Sequence, residues 1–222
     1  MDLSRIAAMR ELLAATGWVD RTVRFGRSLR GAGHRPGGLL VVGTPSEEPW
    51  HLTAHLDEEA RWSGIRELTP TLVRWQPPPG APAHLAVGLD RLEQAGRGET
   101  VFVVAPDAAP AELLERVHDA RQDGATVLAL DSGDEELEGL AHEALTVPAD
   151  WPGDLPADVE RMPGGLVVPS SAGELLPAVS FDLVSHLVSV AAGEPEPPPR
   201  RSARRRLARV LDLLSGPPPD RS

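Results

Sequence analysis

The sequence predicts a three-layer α/β/α sandwich, a parallel sheet covered by helices on both faces, and three observations carry that expectation. Short unbroken apolar runs recur, at Leu39-Leu-Val-Val42, Thr100-Val-Phe-Val-Val-Ala105 and Ala125-Thr-Val-Leu-Ala-Leu130. A strand apolar on both faces belongs in a parallel sheet buried between two layers. Between these runs lie segments whose apolar residues return every three or four positions, as in a helix with one buried face. The two patterns alternate along the chain, the order that builds βαβ units.

The elements follow in order. Ile6, Met9 and Leu13 share one face of a first helix that Ser4 or Asp2 is placed to cap, and Gly17 interrupts it. Trp18, Thr22, Phe25 and Leu29 then mark a second helix, and Gly31-Ala-Gly-His-Arg-Pro-Gly-Gly38 is a loop by its glycine and proline content. The strand Leu39–Val42 ends in Gly43. Leu52, Leu56 and Ala60 align on a helix over Trp50–Ser63. Thr71–Trp75 reads as a strand, Gln76–Pro82 as an irregular loop, and His84–Ala95 as a helix with Leu85, Leu89 and Leu92 in register. After the strand Thr100–Ala105 comes a helix over Pro110–Asp123, with proline in its first turn, Glu112 at its positive end and Leu113, Leu114, Val117 and Ala120 turned inward. Gly124 stops it. The strand Ala125–Leu130, a short acidic helix over Glu135–Glu143 and a last strand over Leu145–Pro148 follow. Residues 149–164 are proline-rich, acidic loop, and Gly165–Val168 reads as a short strand. Leu176, Val179, Leu183, Leu187 and Val190 mark a long amphipathic helix that closes the body.

Composition narrows the function classes. The chain has 222 residues, no cysteine, and a net charge of −11. Without cysteine there is no disulfide framework, thiolate metal site or cysteine nucleophile. No run approaches 18 consecutive apolar residues, and the opening MDLSRIAAMRELLAA carries charges every few positions, so neither a spanning helix nor a secretory signal is expected and a cytoplasmic location is. All 22 basic residues are arginine, which with abundant Ala, Gly and Pro matches the coding bias of a high-GC bacterium. The charge is unevenly placed. Residues 1–199 hold 31 acidic side chains against 15 arginines, a net of −16, whereas residues 200–222 hold seven arginines against two aspartates, a net of +5. Between them Gly193-Glu-Pro-Glu-Pro-Pro-Pro199 cannot be helical and reads as a stiff spacer. The expected organisation is therefore a body over 1–192, a Pro/Glu linker over 193–199 and a basic tail over 200–222.

The stretch from Glu99 to Pro148, ETVFVVAPDAAPAELLERVHDARQDGATVLALDSGDEELEGLAHEALTVP, resembles the second half of the SIS (sugar isomerase) domain family. The resemblance rests on a strand, a loop, a helix ending in the turn Ala120-Arg-Gln-Asp-Gly-Ala125, a strand, and then Leu137-Glu-Gly-Leu-Ala-His-Glu-Ala-Leu-Thr-Val-Pro148. Upstream, Leu39-Leu-Val-Val-Gly-Thr-Pro-Ser46 is similar to the family's first strand and glycine loop, and Val179–Ala192 stands where the family has a closing helix. In all it covers most of residues 18–192. It implies a flavodoxin-like strand order, association into a homodimer, and binding of phosphosugars through hydroxyls in the loops after the first and third strands. Those loops depart from the pattern. The first reads Gly43-Thr-Pro-Ser-Glu-Glu-Pro49; in the second the hydroxyl-rich loop is replaced by Ala105-Pro-Asp-Ala-Ala-Pro110. Every hydroxyl there is gone, two prolines remove amide donors, and Asp107 stands where phosphate would be, so the usual phosphosugar pocket is eroded. The candidate ligand-binding residues are Gly43, Thr44, Ser46, Asp107, Ser132, Ser170 and Ser171, the last three reading more readily as turn and cap serines than as ligand contacts.

Other constellations weigh less. His51 and His55 have a zinc-ligand spacing, but Leu52 replaces the glutamate such a helix needs and no third ligand is identifiable, so no metal is expected. The acidic stretch Asp131–Glu143 reads as a solvated face rather than a hard-cation site. Glu174 and His186 stand where some family isomerases carry general bases, yet without a phosphate anchor little would orient an aldose phosphate. No glycine-rich dinucleotide loop, Walker lysine or nucleophile elbow is present, and no cofactor is expected. In the tail, Arg200, Arg201, Arg204, Arg205, Arg206 and Arg209 precede a stripe of Leu207, Val210, Leu211 and Leu214. Such a helix over 200–214 suits an acidic protein partner, a second subunit or a membrane surface, while the acidic body disfavours nucleic acid. The expected function is a non-catalytic carbohydrate-derivative-binding or regulatory module. The alternatives are an aldose–ketose phosphosugar isomerase and an interaction protein that has lost its ligand.

Overall fold

The computed structural model describes residues 18–147 and 181–193, and from Arg21 onward these belong to one compact unit. The expected first helix, the loop over 149–164, the strand at 165–168, Ser170, Ser171, Glu174, most of the spacer and the basic tail lie outside the described residues. The element order is α1 (Trp18–Ala32), β1 (Leu39–Gly43), α2 (Trp50–Ser63), β2 (Pro70–Val73), β3 (Thr100–Ala105), α3 (Ala111–Gln122), β4 (Thr126–Asp131), α4 (Glu135–Leu140), β5 (Glu143–Thr146) and α5 (Phe181–Gly193). Short 3₁₀ turns interrupt the connections at Arg66–Leu68, Ala83–Leu85 and Leu89–Gln94. No helix among the described residues is long and apolar enough to cross a membrane.

The five strands form one sheet in the order β2-β1-β3-β4-β5, every pair parallel. Gly43 is level with Val104, and Ala105 with Asp131, so the three apolar runs end together at one edge. Alternation along the strands divides the core into two layers. Leu40, Val42, Val101, Val103, Ala105, Val127 and Ala129 join Leu113, Leu114, Val117 and Ala120 of α3 and Leu137 of α4 in one cluster. The other strand face meets α1, where the rings of Phe25 and Phe102 lie 5.6 Å apart. The helices α2 and α5 pack together. With both faces covered, every residue of β1 and β3 is buried. At about 25 cal/mol per Å² of apolar surface removed from water, this burial is what stabilises runs such as Val101–Val104.

Two segments differ from the periodicity. The stretch expected as a helix over His84–Ala95 is instead two 3₁₀ turns, because the chain between them is clamped to the end of β2. Arg74 donates its amide to the Val87 carbonyl at 2.9 Å, and Gly88 is extended there in a bridge to Arg74. A helix cannot pass through a residue held in strand geometry. The acidic helix expected to reach Glu143 stops at Leu140, since His142 is drawn onto β4. Its amide donates to the Val127 carbonyl at 2.8 Å and its Nδ1 accepts from the Val127 amide at 3.0 Å, so Glu143 begins β5.

Candidate functional site

Because β1 leads through α2 to β2 on one side, while β3 leads through α3 to β4 on the other, the chain leaves β1 and β3 in opposite directions. In open α/β sheets the crevice beyond the strand ends at such a switch point is where ligands bind. Two loops line it here, Thr44–Pro49 after β1 and Pro106–Pro110 after β3. The first folds tightly back over its strand. A Cβ on Gly43 would meet the Glu47 carbonyl oxygen far inside 3.0 Å and Pro49 Cδ at 2.7 Å, so only glycine fits. The Gly43 carbonyl accepts from Trp75 Nε1 at 2.8 Å, and the Thr44 carbonyl accepts from the Glu47 amide at 3.2 Å.

At the centre of the crevice the two loops meet through side chains. Thr44, fully buried, donates its hydroxyl to Asp107 Oδ1 at 2.7 Å, Ser46 donates to Asp107 Oδ2, and the two hydroxyl oxygens lie 3.0 Å apart. These hydrogen bonds hold the Asp107 carboxyl below its usual range, against a smaller opposing effect of burial. The carboxylate is therefore ionised near neutral pH. Beside it, Glu48 is spent on its own neighbours. Its Oε2 accepts from Trp50 Nε1 at 2.9 Å and from Arg74 Nε at 3.0 Å, while the Arg74 guanidinium stacks 4.6 Å from the Trp50 ring centre. No ion pair neutralises Asp107 among the described residues.

Asp131 ends the next strand and is fully buried. Its Oδ1 accepts from the amides of Gly133 at 2.7 Å and Asp134 at 3.3 Å, whereas Oδ2 has no hydrogen-bond partner. Burial, reinforced by the nearby Glu138 carboxylate, raises its pKa. Asp134 caps α4 by accepting from Glu136 and Leu137, and its second oxygen accepts from the Ala109 amide at 2.8 Å. The loop after β3 is thus tied to the turn after β4.

Of the sequence candidates, Gly43, Thr44, Ser46 and Asp107 come together, and Thr44, Ser46 and Asp107 share hydrogen bonds. Ser132 is half-buried in the turn after β4, with no hydrogen bond joining it to that group among the described residues. His186 lies on α5, with its ring 4.5 Å from that of His55 in an edge-on arrangement. Since Gly193 in turn abuts Glu59, α5 runs in the same direction as α2, and His186 faces the second turn of α2. Burial, then the His55 ring, lowers the His186 pKa, and Glu58 partly opposes them. Ser170, Ser171 and Glu174 lie outside the described residues. Among the described residues, no group of three or more His, Asp or Glu is arranged to hold a metal ion. Reading the sequence missed the Trp75–Gly43 hydrogen bond and the Asp134 link to Ala109. Neither has a local signature, because each joins residues distant in the chain.

No family model and no curated protein matches the chain. Among solved structures it is similar to a candidate sugar-binding protein from Salmonella typhimurium LT2. Identity is 14%, the match covers 95% of this chain and 53% of that one, and the TM-score is 0.51. A second neighbour is the NanR protein of Vibrio vulnificus in complex with ManNAc-6P, at 13% identity, 95% and 69% coverage and a TM-score of 0.44. The chain thus spans about half the length of the Salmonella protein, and at that identity the likeness is one of fold, the α/β sandwich with its parallel sheet.

Proposed function

We propose that this chain is a non-catalytic module, similar to SIS domains, that binds a carbohydrate derivative at the C-terminal ends of β1 and β3. The observation that carries the reading is the Thr44–Ser46–Asp107 cluster, a convergence of hydrogen-bonding groups from two loops at the switch point of the sheet. The Salmonella neighbour, described by name as a candidate sugar binder, supports the same class of ligand. Against an isomerase, His186 packs edge-on against the His55 ring, and no hydrogen bond joins it to the Thr44–Ser46–Asp107 cluster among the described residues. The module works as a homodimer in the cytoplasm, and its basic tail over 200–214, tethered through the 193–199 spacer, docks on an acidic partner or a membrane surface.

A thermal-shift screen of the full chain against sugars, sugar phosphates and nucleotide sugars tests this. A ligand at a hundredfold excess over its Kd stabilises the native state by about 2.7 kcal/mol, an easily resolved rise in Tm. A flat response across all three classes refutes the reading. Turnover of an aldose phosphate that is lost in His186→Ala or Glu174→Gln refutes the non-catalytic part of it.

A further inference from the structure

At the centre of the crevice the side-chain hydroxyls are already committed. Both hydroxyls, Thr44 Oγ1 and Ser46 Oγ, point their protons at Asp107. Of the loop amides that would otherwise grip an oxyanion, four do not exist, because positions 45, 49, 106 and 110 are proline. Two more are spent, Glu47's on the Thr44 carbonyl and Ala109's on Asp134 Oδ2. The cation next to this loop, Arg74, is committed to Glu48 and stacked on Trp50. Among the described side chains of this cluster, what is left to a ligand is the carboxylate of Asp107 and the lone pairs of the exposed Ser46 hydroxyl, and a carboxylate accepts but cannot donate.

We propose that the Asp107 carboxylate is a built-in occupant of an oxyanion-binding hydroxyl pair, so that this site takes an unphosphorylated sugar bearing hydroxyl or ammonium donors and rejects its phosphate ester. The inference rests on the carbohydrate-binding reading and narrows its ligand. A phosphate dianion would have to approach, at close range, a carboxylate that no ion pair among the described residues neutralises, and the Thr44 and Ser46 hydroxyls already donate to that carboxylate. An amino sugar meets the opposite situation, since its ammonium and hydroxyl groups donate to oxygens that already stand in place. Exposed Asp107 contributes nothing to the core, so its replacement frees Thr44 and Ser46 without opening a cavity.

The test is calorimetric titration of the full chain with a matched pair of probes, glucosamine and glucosamine 6-phosphate. The chain is used as wild type, as Asp107→Ala, which vacates the place of the carboxylate, and as Asp107→Asn, which keeps its shape without its charge. The wild type should bind glucosamine at least tenfold more tightly than the 6-phosphate, and Asp107→Ala should reverse that order, with Asp107→Asn between them. A wild type that binds the 6-phosphate as tightly as glucosamine overturns the inference and leaves the carbohydrate reading standing. So does a preference unchanged in both variants. Binding of neither probe by any of the three proteins, together with a flat thermal-shift screen, overturns the carbohydrate reading itself and the inference with it.

Discussion

One substitution, glycine to alanine, should change sign between two positions in this fold, and the contrast tests how the site is built. At Gly43 an added Cβ meets the Glu47 carbonyl far inside 3.0 Å and Pro49 Cδ at 2.7 Å. Neither is the yielding tip of a long side chain. The loop Thr44–Pro49 must therefore move bodily, and overpacking of this kind costs about 1–3 kcal/mol. The movement also disturbs the Trp75–Gly43 hydrogen bond and the Thr44–Asp107 contact, each worth about 1 kcal/mol net. If both contacts are lost, these place Gly43→Ala at a loss of about 3–5 kcal/mol. At Gly31, exposed in the last turn of α1, an added Cβ meets nothing within 4 Å. There alanine should gain up to about 0.5–1 kcal/mol, the helix preference of Ala over Gly. Urea unfolding of the three proteins at equilibrium measures both, read from the midpoints at constant slope. A Gly43→Ala protein within about 0.5 kcal/mol of wild type would refute the folded-back loop, since ordinary experimental scatter is no larger than the extrapolation error.

Three further outcomes are expected. Asp131→Asn should stabilise the protein by about 1–2 kcal/mol at neutral pH, by removing a buried charge whose Oδ2 has no partner while keeping an acceptor for Gly133 and Asp134. Because the folded-state pKa of Asp131 is raised, its penalty is absent below the ordinary value of 3.8 and develops as pH rises through the folded pKa, so the variant's advantage in urea unfolding should vanish in acid. For His186 the folded-state pKa is lowered, so stability is full above 6.5 and falls as pH drops through that value toward the folded pKa. Melting temperatures between pH 8 and 5.5 should decline less in His186→Gln, and equal declines would refute the coupling to burial and His55. Asp134→Ala should cost about 1–3 kcal/mol, the loss of an N-cap plus the orphaned Ala109 amide, and amide exchange should rise at Ala109 as well as in α4.

The strands were legible because burial on both faces leaves an unbroken apolar run, and that requirement does not depend on what the neighbours are. β1, β3 and β4 end within a residue or so of where the runs Leu39–Val42, Thr100–Ala105 and Ala125–Leu130 end. The edge of the sheet was harder to read. Leu85, Leu89 and Leu92 keep helical spacing, yet the backbone at Val87 and Gly88 is required by Arg74, a partner thirteen positions upstream. Periodicity registers which side of an element is buried and is silent about which backbone groups a distant segment needs. Glu143 shows the same thing, since its place in β5 follows from the bonds between His142 and β4.

At the site, residue types were legible and their relation was not. Asp107 in the loop Ala105–Pro110 stood out as a negative charge where an anion would bind, and the natural consequence of that reading is repulsion. The fold adds the other half. Parallel pairing of β1 with β3 brings Thr44 and Ser46 to Asp107 across more than sixty residues, so the charge that repels an anion is also the partner of the site's hydroxyls. The prolines then acquire a consistent role. A loop built to hold an oxyanion keeps its amides free; here positions 45, 49, 106 and 110 lack them, Glu47 and Ala109 use theirs locally, and the hydroxyls are turned inward. Each change taken singly would weaken an anion site. Taken together they commit both hydroxyls and six of the loop amide positions while leaving Asp107 and Ser46 exposed, as recognition of a donor-bearing ligand requires.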